Sequence, residues 1–139
     1  MTRIADIMTR SVAVVGRDET LQAAACRMRE MDVGALPVTD GKALAGMITD
    51  RDITVRGVAE GMVAQEALVA DVMTEDVRFC SESDSVEEVM AQMGKAQVRR
   101  LPVLGANREI VGIVALADLA TRQSAPTDDT LREISTPDH

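Results

Sequence analysis

Aromatic side chains are nearly missing from this chain: one Phe, no Trp and no Tyr in 139 residues. The core must therefore be aliphatic, built from Ala, Val, Leu, Ile and nine Met, and that much methionine makes it soft and adaptable. Histidine occurs once, at His139, and the two cysteines, Cys26 and Cys80, form no CxxC pair. No metal set is expected from these residues, and no Ser-His-Asp arrangement either. Cys26 falls in a helical pattern and Cys80 at a strand end, so both read as packed thiols, and a disulfide is not expected in a reducing compartment. No apolar run approaches the roughly twenty residues of a membrane span, and no basic-then-apolar signal segment opens the chain. A cytoplasmic location is the expectation.

Positive charge is also scarce, with 15 Lys and Arg against 23 Asp and Glu and a formal net charge of -8. That balance argues against non-specific binding to nucleic acid or acidic membranes, both of which need a positive field. A small anion stays admissible, because screening lets a local arginine pair prevail within about 10 Å. At 46% hydrophobic content the chain suits one compact unit or two very small ones sharing a core.

What the chain does have is an internal repeat. Ala5-Asp6-Ile7-Met8-Thr9 returns as Ala70-Asp71-Val72-Met73-Thr74, displaced by 65 residues. Val12 returns as Val77, Met28 as Met93, and Leu36-Pro37-Val38 as Leu101-Pro102-Val103. One extra residue in the following turn matches Gly46 to Gly112 and Asp52 to Asp118.

Each copy reads alike. Val12 to Val15, and Val77 to Cys80, are short β-rich runs. Thr20 precedes Leu21, Ala24, Ala25 and Met28, and Ser85 precedes Val86, Val89, Met90 and Met93. Both sets have the spacing of one helix face. Ser85 with Glu88 makes a capping box, while Thr20 caps without an acidic partner. Two strands joined by a tight turn come next: Ala35 to Thr39 with Leu44 to Ile48 around Asp40-Gly41, then Arg100 to Leu104 with Ile110 to Val114. Pro37 and Pro102 are expected near a strand end or on an edge. A second helix follows, Thr49 to Glu60 and Ala115 to Gln123. The fold class is α/β (α+β), two β-α-β-β-α units packed with pseudo-twofold symmetry, because a unit of about 50 residues buries too little alone. The boundaries are 1–61, a linker 62–68, 69–123, and a polar tail 124–139 that is loose or forms a short helix near Thr130 to Ile134.

The stretch Gly46-Met47-Ile48-Thr49-Asp50-Arg51-Asp52 runs an apolar strand straight into the first turn of a helix. A helix start leaves backbone N–H groups without intrahelical partners and carries a partial positive charge, which suits a phosphate. Thr49 can share in holding it. Asp52, one turn on, can accept two hydrogen bonds from a ribose diol. The same two residues also spell a capping box that satisfies the helix's own donors, and on spacing alone that is the better reading. The repeat shifts the balance toward binding, because it supplies a complementary partner. Asp50 and Asp52 diverge in direction, unlike an acid–base pair on facing walls, so catalysis is not expected.

The doubled unit, the Leu-Pro-Val strand of both copies and the Gly46 to Asp52 stretch resemble a tandem pair of CBS domains, the Bateman module, over residues 4 to 122. The family's pattern is Gly, two apolar residues, Thr or Ser, any two, then Asp, and the first copy matches it at every fixed position. The segments 27–38 and 98–103 are also similar to small stand-alone CBS pairs. The resemblance implies a sensor rather than an enzyme, with AMP, ADP, ATP or S-adenosylmethionine bound between the copies. It also implies head-to-head homodimers, and an unidentified effector protein as a further partner. By that resemblance Thr49 contacts phosphate or ribose, Asp52 the ribose hydroxyls, Val77 and Met47 the adenine, and Arg99 and Arg100 the phosphates. The planar guanidinium fork suits phosphate oxygens. Adjacent strand residues point to opposite faces, so one of the two arginines aims at the ligand, and Arg100 is favoured. Taken alone, two adjacent arginines also read as a solvated, salt-bridging strand end.

The second copy departs from the pattern. Gly112-Ile113-Val114-Ala115-Leu116-Ala117-Asp118 carries Ala115 where a hydroxyl belongs, and Gly34-Ala35 stand where the other copy has Arg99-Arg100. Asp118, with Val12 and Ser11, is left as a weaker counterpart. Losing charge-assisted bonds worth roughly 1.5 to 3 kcal/mol each should weaken an anionic nucleotide there at least about tenfold. The rival reading is a structural or interaction module without a ligand, in which Thr49 and Asp52 only cap and the Met-rich helices build a dimer face.

Overall fold

The computed structural model describes residues 2–10 and 12–124, the last three of these by backbone alone. Ser11, His139 and the helix expected near Thr130 to Ile134 lie outside the described residues. Among the described residues no helix is long and apolar enough to cross a membrane.

The fold is α+β, with two three-stranded sheets, each flanked by helices. In the first, β1 (Val15–Gly16), β2 (Ala35–Asp40) and β3 (Ala43–Thr49) lie in the order β1-β2-β3. The helix α1 (Leu21–Met31) connects β1 to β2, and α2 (Asp50–Asp52) follows β3. In the second sheet β4 (Cys80–Ser81), β5 (Arg100–Leu104) and β6 (Ile110–Ala115) repeat that order, with α3 (Val86–Ala96) and α4 (Leu116–Ser124). The outer pair is parallel, the hairpin pair antiparallel.

The helix starts form as their residues dictate. Thr20 Oγ1 accepts the Ala23 amide at 3.1 Å, whereas Ser85 and Glu88 close a full reciprocal box, as expected of a sequence with Glu88 in one copy and Ala23 in the other. The buried face of α1 is Leu21, Ala24 and Met28. Ala25, on the flank of that stripe, is exposed: the apolar face of α1 is narrower than its spacing suggests.

Three further expectations are corrected. The first strands shrink to Val15–Gly16 and Cys80–Ser81, since β2 and β5 each offer only two partners. The carbonyls just upstream are taken by side chains instead: Val14 O by Arg27 Nη1 at 3.0 Å and Phe79 O by Gln92 Nε2 at 3.2 Å. Pro37 and Pro102 sit in the central strands, one residue before the stretch that the short parallel strand pairs, so their missing N–H costs the ladder little there. Finally, the stretch from Thr49 to Glu60 is not one regular helix. It runs as α over Asp50–Asp52, widens to a π turn over Ile53–Gly57, and tightens to 3-10 over Val58–Glu60.

The described residues fall into two compact units, one of Ala13–Val77 and the other of those through Val12 with those from Arg78 to Ser124. Each unit is therefore completed by the leader that precedes the other copy in sequence. In the first, the 3-10 turn Val69–Asp71 is anchored by Val69 N and Ala70 N donating to Glu19 O and Arg17 O. In the second, Ile4 N and Ala5 N donate to Asp84 O and Glu82 O in the same way. The two aspartates of the repeat have one job: Asp71 Oδ2 accepts Leu68 N, and Asp6 Oδ2 accepts Arg3 N. Val69, Val72 and Met73 join the core of Val15, Leu21, Leu36, Val38 and Ile48. Ile4 and Met8 join that of Val86, Val89, Met93, Leu101, Val103 and Leu119. Neither core contains an aromatic residue.

Candidate functional site

The last residue of β3 is Thr49, held opposite Ala35 in the hairpin register. Its backbone is extended, so the strand ends and the helix begins at one residue. Thr49 Oγ1 accepts the Asp52 amide at 3.0 Å, and Asp52 Oδ2 accepts the Thr49 amide at 3.0 Å. The cap that the spacing favours is formed. It does not use up the two side chains, however. A carboxylate has two oxygens and a hydroxyl keeps its own proton as a donor, and the cap engages Oδ2 only. Oδ1 of Asp52 and the Thr49 hydroxyl proton take no part in it, and both residues are half-buried. The cap fixes the rotamers of two groups that retain bonding capacity.

Two further backbone contacts shape this corner. Asp50 N donates to Gly34 O at 2.9 Å, and a Cβ at Gly34 would come within 3.1 Å of Asp50 Oδ2. Met47 exchanges both backbone hydrogen bonds with Thr74 at 2.9 Å. The leader segment thereby bridges to the free edge of β3 at this one pair, and Gly46 is required because a Cβ there would run into the Thr74 carbonyl oxygen. Val77, half-buried, follows three residues on, its amide donating to Glu75 O at 3.0 Å.

Thr49, Asp52, Met47 and Val77 thus belong to one compact unit. Arg99 and Arg100 belong to the other, both exposed, with Arg100 opening β5 opposite Ala115. Neither guanidinium forms an ion pair among the described residues, where the one salt bridge is Arg27 with Glu19. The weaker counterpart repeats the backbone without the chemistry. Thr9 and Ile113 exchange hydrogen bonds at 2.8 and 2.9 Å, and a Cβ at Gly112 would meet Thr9 O at 2.9 Å. Ala115 offers no side-chain oxygen at the start of α4, where Asp118 is exposed and Val12 half-buried. Ser11 lies outside the described residues. Thr74 enters this corner through its backbone, and its one mark in the sequence is that a Thr follows the Met of both copies, Thr9 after Met8 and Thr74 after Met73.

Both copies match the model of the CBS domain, over residues 4–57 and 69–125. The chain belongs to the CBS-domain family. It is 43% identical over 121 residues to hypoxic response protein 1 of Mycobacterium tuberculosis, covering 86% of this chain and 84% of that protein. The matched CBS pair is thus nearly the whole of that relative. A crystal structure of hypoxic response protein I with two coordinated zinc ions superposes with a TM-score of 0.78 at 41% identity, over 88% of this chain and 99% of that one. CBSX2 in complex with AMP superposes with a TM-score of 0.76 at 22% identity, over 92% and 100% of the two chains. At that identity the likeness speaks for the fold alone.

The zinc-bearing relative overturns the expectation that no metal belongs with such a chain. The described residues of this chain do not themselves make a zinc set. No three His, Cys, Asp or Glu converge among them, and of the two free thiols Cys26 is half-exposed and Cys80 buried. Burial, and after it the charge of Asp84, push the Cys80 thiol up to about 12, the reverse of what a thiolate ligand needs.

Proposed function

We propose that the chain is a non-enzymatic sensor that binds an adenosyl ligand, an adenine nucleotide such as AMP, ADP or ATP or else S-adenosylmethionine, at the junction of β3 and α2. The observation that carries this reading is the half-used cap: Asp52 is held by Oδ2 while Oδ1 is left over, beside a Thr49 hydroxyl that keeps its proton. A ribose diol needs a carboxylate acceptor, and a phosphate or ribose oxygen can take the hydroxyl proton. Met47 and Val77 offer apolar surface to the base. Arg100, and Arg99 after it, are the cations assigned to the phosphate charge, since a guanidinium without an ion-pair partner loses no bond when a phosphate arrives. CBSX2, a protein of the same fold, is described in complex with AMP, which makes AMP the first of these ligands to test. The sensor acts in the cytoplasm as a homodimer, passing its state to an effector protein.

A second reading is favoured by the same cap. If Thr49 and Asp52 do nothing but start α2, the chain is a scaffold that works through dimerisation alone. Thermal denaturation with and without AMP, ATP and S-adenosylmethionine separates the two. A ligand at 100 times its dissociation constant stabilises by about 2.7 kcal/mol, and Asp52→Ala should abolish that increment. No stabilisation by any of the three leaves the scaffold.

A further inference from the structure

Arg56 lies on the π turn that continues α2, one turn beyond Asp52, and no motif marks it. Its guanidinium reaches the leader segment: Nη1 donates to Val72 O at 3.0 Å and stands 3.4 Å from Met73 O. These two carbonyls follow the 3-10 turn Val69–Asp71, which the Val72 and Met73 amides close by donating to Val69 O at 3.1 and 2.9 Å, so the guanidinium takes acceptors that the turn itself leaves over. The residue after Met73 is Thr74, which pairs with Met47 on β3, and β3 leads through Thr49 into the cap and back to α2. The contacts form a closed ring within one compact unit: β3, cap, π turn, Arg56, leader segment, β3. A π turn adds a residue to the helical circuit and so re-aims the side chains that follow it. Here the re-aimed side chain ties the helix to the leader.

From this ring we propose that Arg56 is a positioning residue that fixes the Met73 to Val77 segment against Met47, and so sets how strongly the adenine base is held. This rests on the sensor reading above, in which Met47 and Val77 face the base while Thr49 and Asp52 face ribose and phosphate. Arg56 touches no part of the ligand. Its loss should loosen the wall for the base and leave the grip on the sugar phosphate intact, because the cap closes through Thr49 and Asp52 without it.

The test is calorimetric titration of the full chain with AMP and with ribose 5-phosphate, which lacks the base. Arg56→Ala should weaken AMP by about tenfold, because binding must then order the loosened wall for the base, while ribose 5-phosphate stays within about twofold. Arg56→Lys, which keeps a cation for the same carbonyls, should restore most of the AMP affinity. Amide exchange at Met47 and Thr74 should quicken in Arg56→Ala before any ligand is added. Asp52→Asn should weaken both ligands, which calibrates a loss at the sugar phosphate. Equal weakening of both ligands in Arg56→Ala, or of neither, overturns the role of Arg56 and leaves the sensor standing. No AMP binding by the unaltered chain removes the sensor itself, and with it the proposal for Arg56.

Discussion

Met47 and Thr74 exchange both backbone hydrogen bonds at 2.9 Å, and the neighbouring Gly46 has no room for a Cβ, which would run into the Thr74 carbonyl oxygen and lie 3.4 Å from Met73 Sδ. The obstruction is backbone, which cannot rotate away as a side-chain tip can. Gly46→Ala should therefore destabilise by about 1 to 3 kcal/mol, the range for overfilling a packed site. Gly94, inside α3, is the control: a Cβ there meets nothing within 4 Å. Gly94→Ala should stabilise by about 0.5 to 1 kcal/mol through the reduced freedom of the unfolded chain and better helix propensity. Urea denaturation reads both, and shifts of the same sign would refute the steric account.

Cys80 donates its thiol to Pro102 O at 3.7 Å inside the second core. Burial, with Asp84 second, raises its titration from an ordinary 9.0 to about 12. Above the ordinary value the unfolded chain sheds this proton while the folded chain keeps it, so the unfolded state binds fewer protons and stability falls as pH rises. The contribution is whole below pH 9.0 and drains between there and about 12. Denaturant midpoints at pH 8 and pH 10 should drop more steeply for the wild type than for Cys80→Ala. Alkylation of the native chain at pH 8 should modify Cys26 and spare Cys80, which the structure leaves half-exposed and buried respectively.

Much of this arrangement is legible along the chain, and the reason is local. Caps, turns and helix faces depend on residues three or four apart, so Thr20, Ser85 with Glu88, Thr49 with Asp52, and the Asp40-Gly41 turn, with Gly41 at a φ of 64°, can be read directly. The destination of the leaders cannot. Ala5-Asp6-Ile7-Met8-Thr9 and Ala70-Asp71-Val72-Met73-Thr74 are nearly the same peptide, and the surfaces they pack on are copies of each other. Nothing in five residues says which copy each one joins. Arg56 was hidden for a related reason: its partners are carbonyl oxygens, which every residue has.

Glu19 joins β1 to α1 by a fork. Arg27 Nη1 and Nη2 approach its two oxygens at 2.8 and 2.9 Å, and Gly16 N donates to Oε2 at 2.7 Å. The Arg27 hydrogen bonds first, and the Gly16 amide second, hold the Glu19 carboxyl below its ordinary 4.5. A lowered carboxyl contributes stability above its unfolded value, lost as the pH falls through the folded one. Both side chains are more than a third exposed, so solvent screens the pair, and Glu19→Gln should cost only about 0.5 to 1 kcal/mol at pH 7. The gap between the two proteins should close on acidification below 4.5 and narrow in high salt.

Ala115 stands opposite Arg100 in its hairpin as Thr49 stands opposite Ala35, and each comes one residue before a helix with an aspartate in its first turn. The second copy therefore lacks a hydroxyl where the first has its cap. Ala115→Thr should supply one, its oxygen accepting the Asp118 amide and the Asp118 carboxylate answering the amide of residue 115. A gained N-cap is worth about 1 kcal/mol, or roughly 2 to 6 °C in melting temperature for a chain of this size. Binding should not follow, because the sequence still has Gly34-Ala35 where the other copy has Arg99-Arg100, and a hydroxyl does not replace a guanidinium against phosphate. Calorimetry should then return one AMP per chain for both proteins. A second AMP bound by Ala115→Thr alone would mean that the hydroxyl was the limiting group. Two equivalent AMP on the unaltered chain would mean that the difference between the copies has no bearing on binding at all.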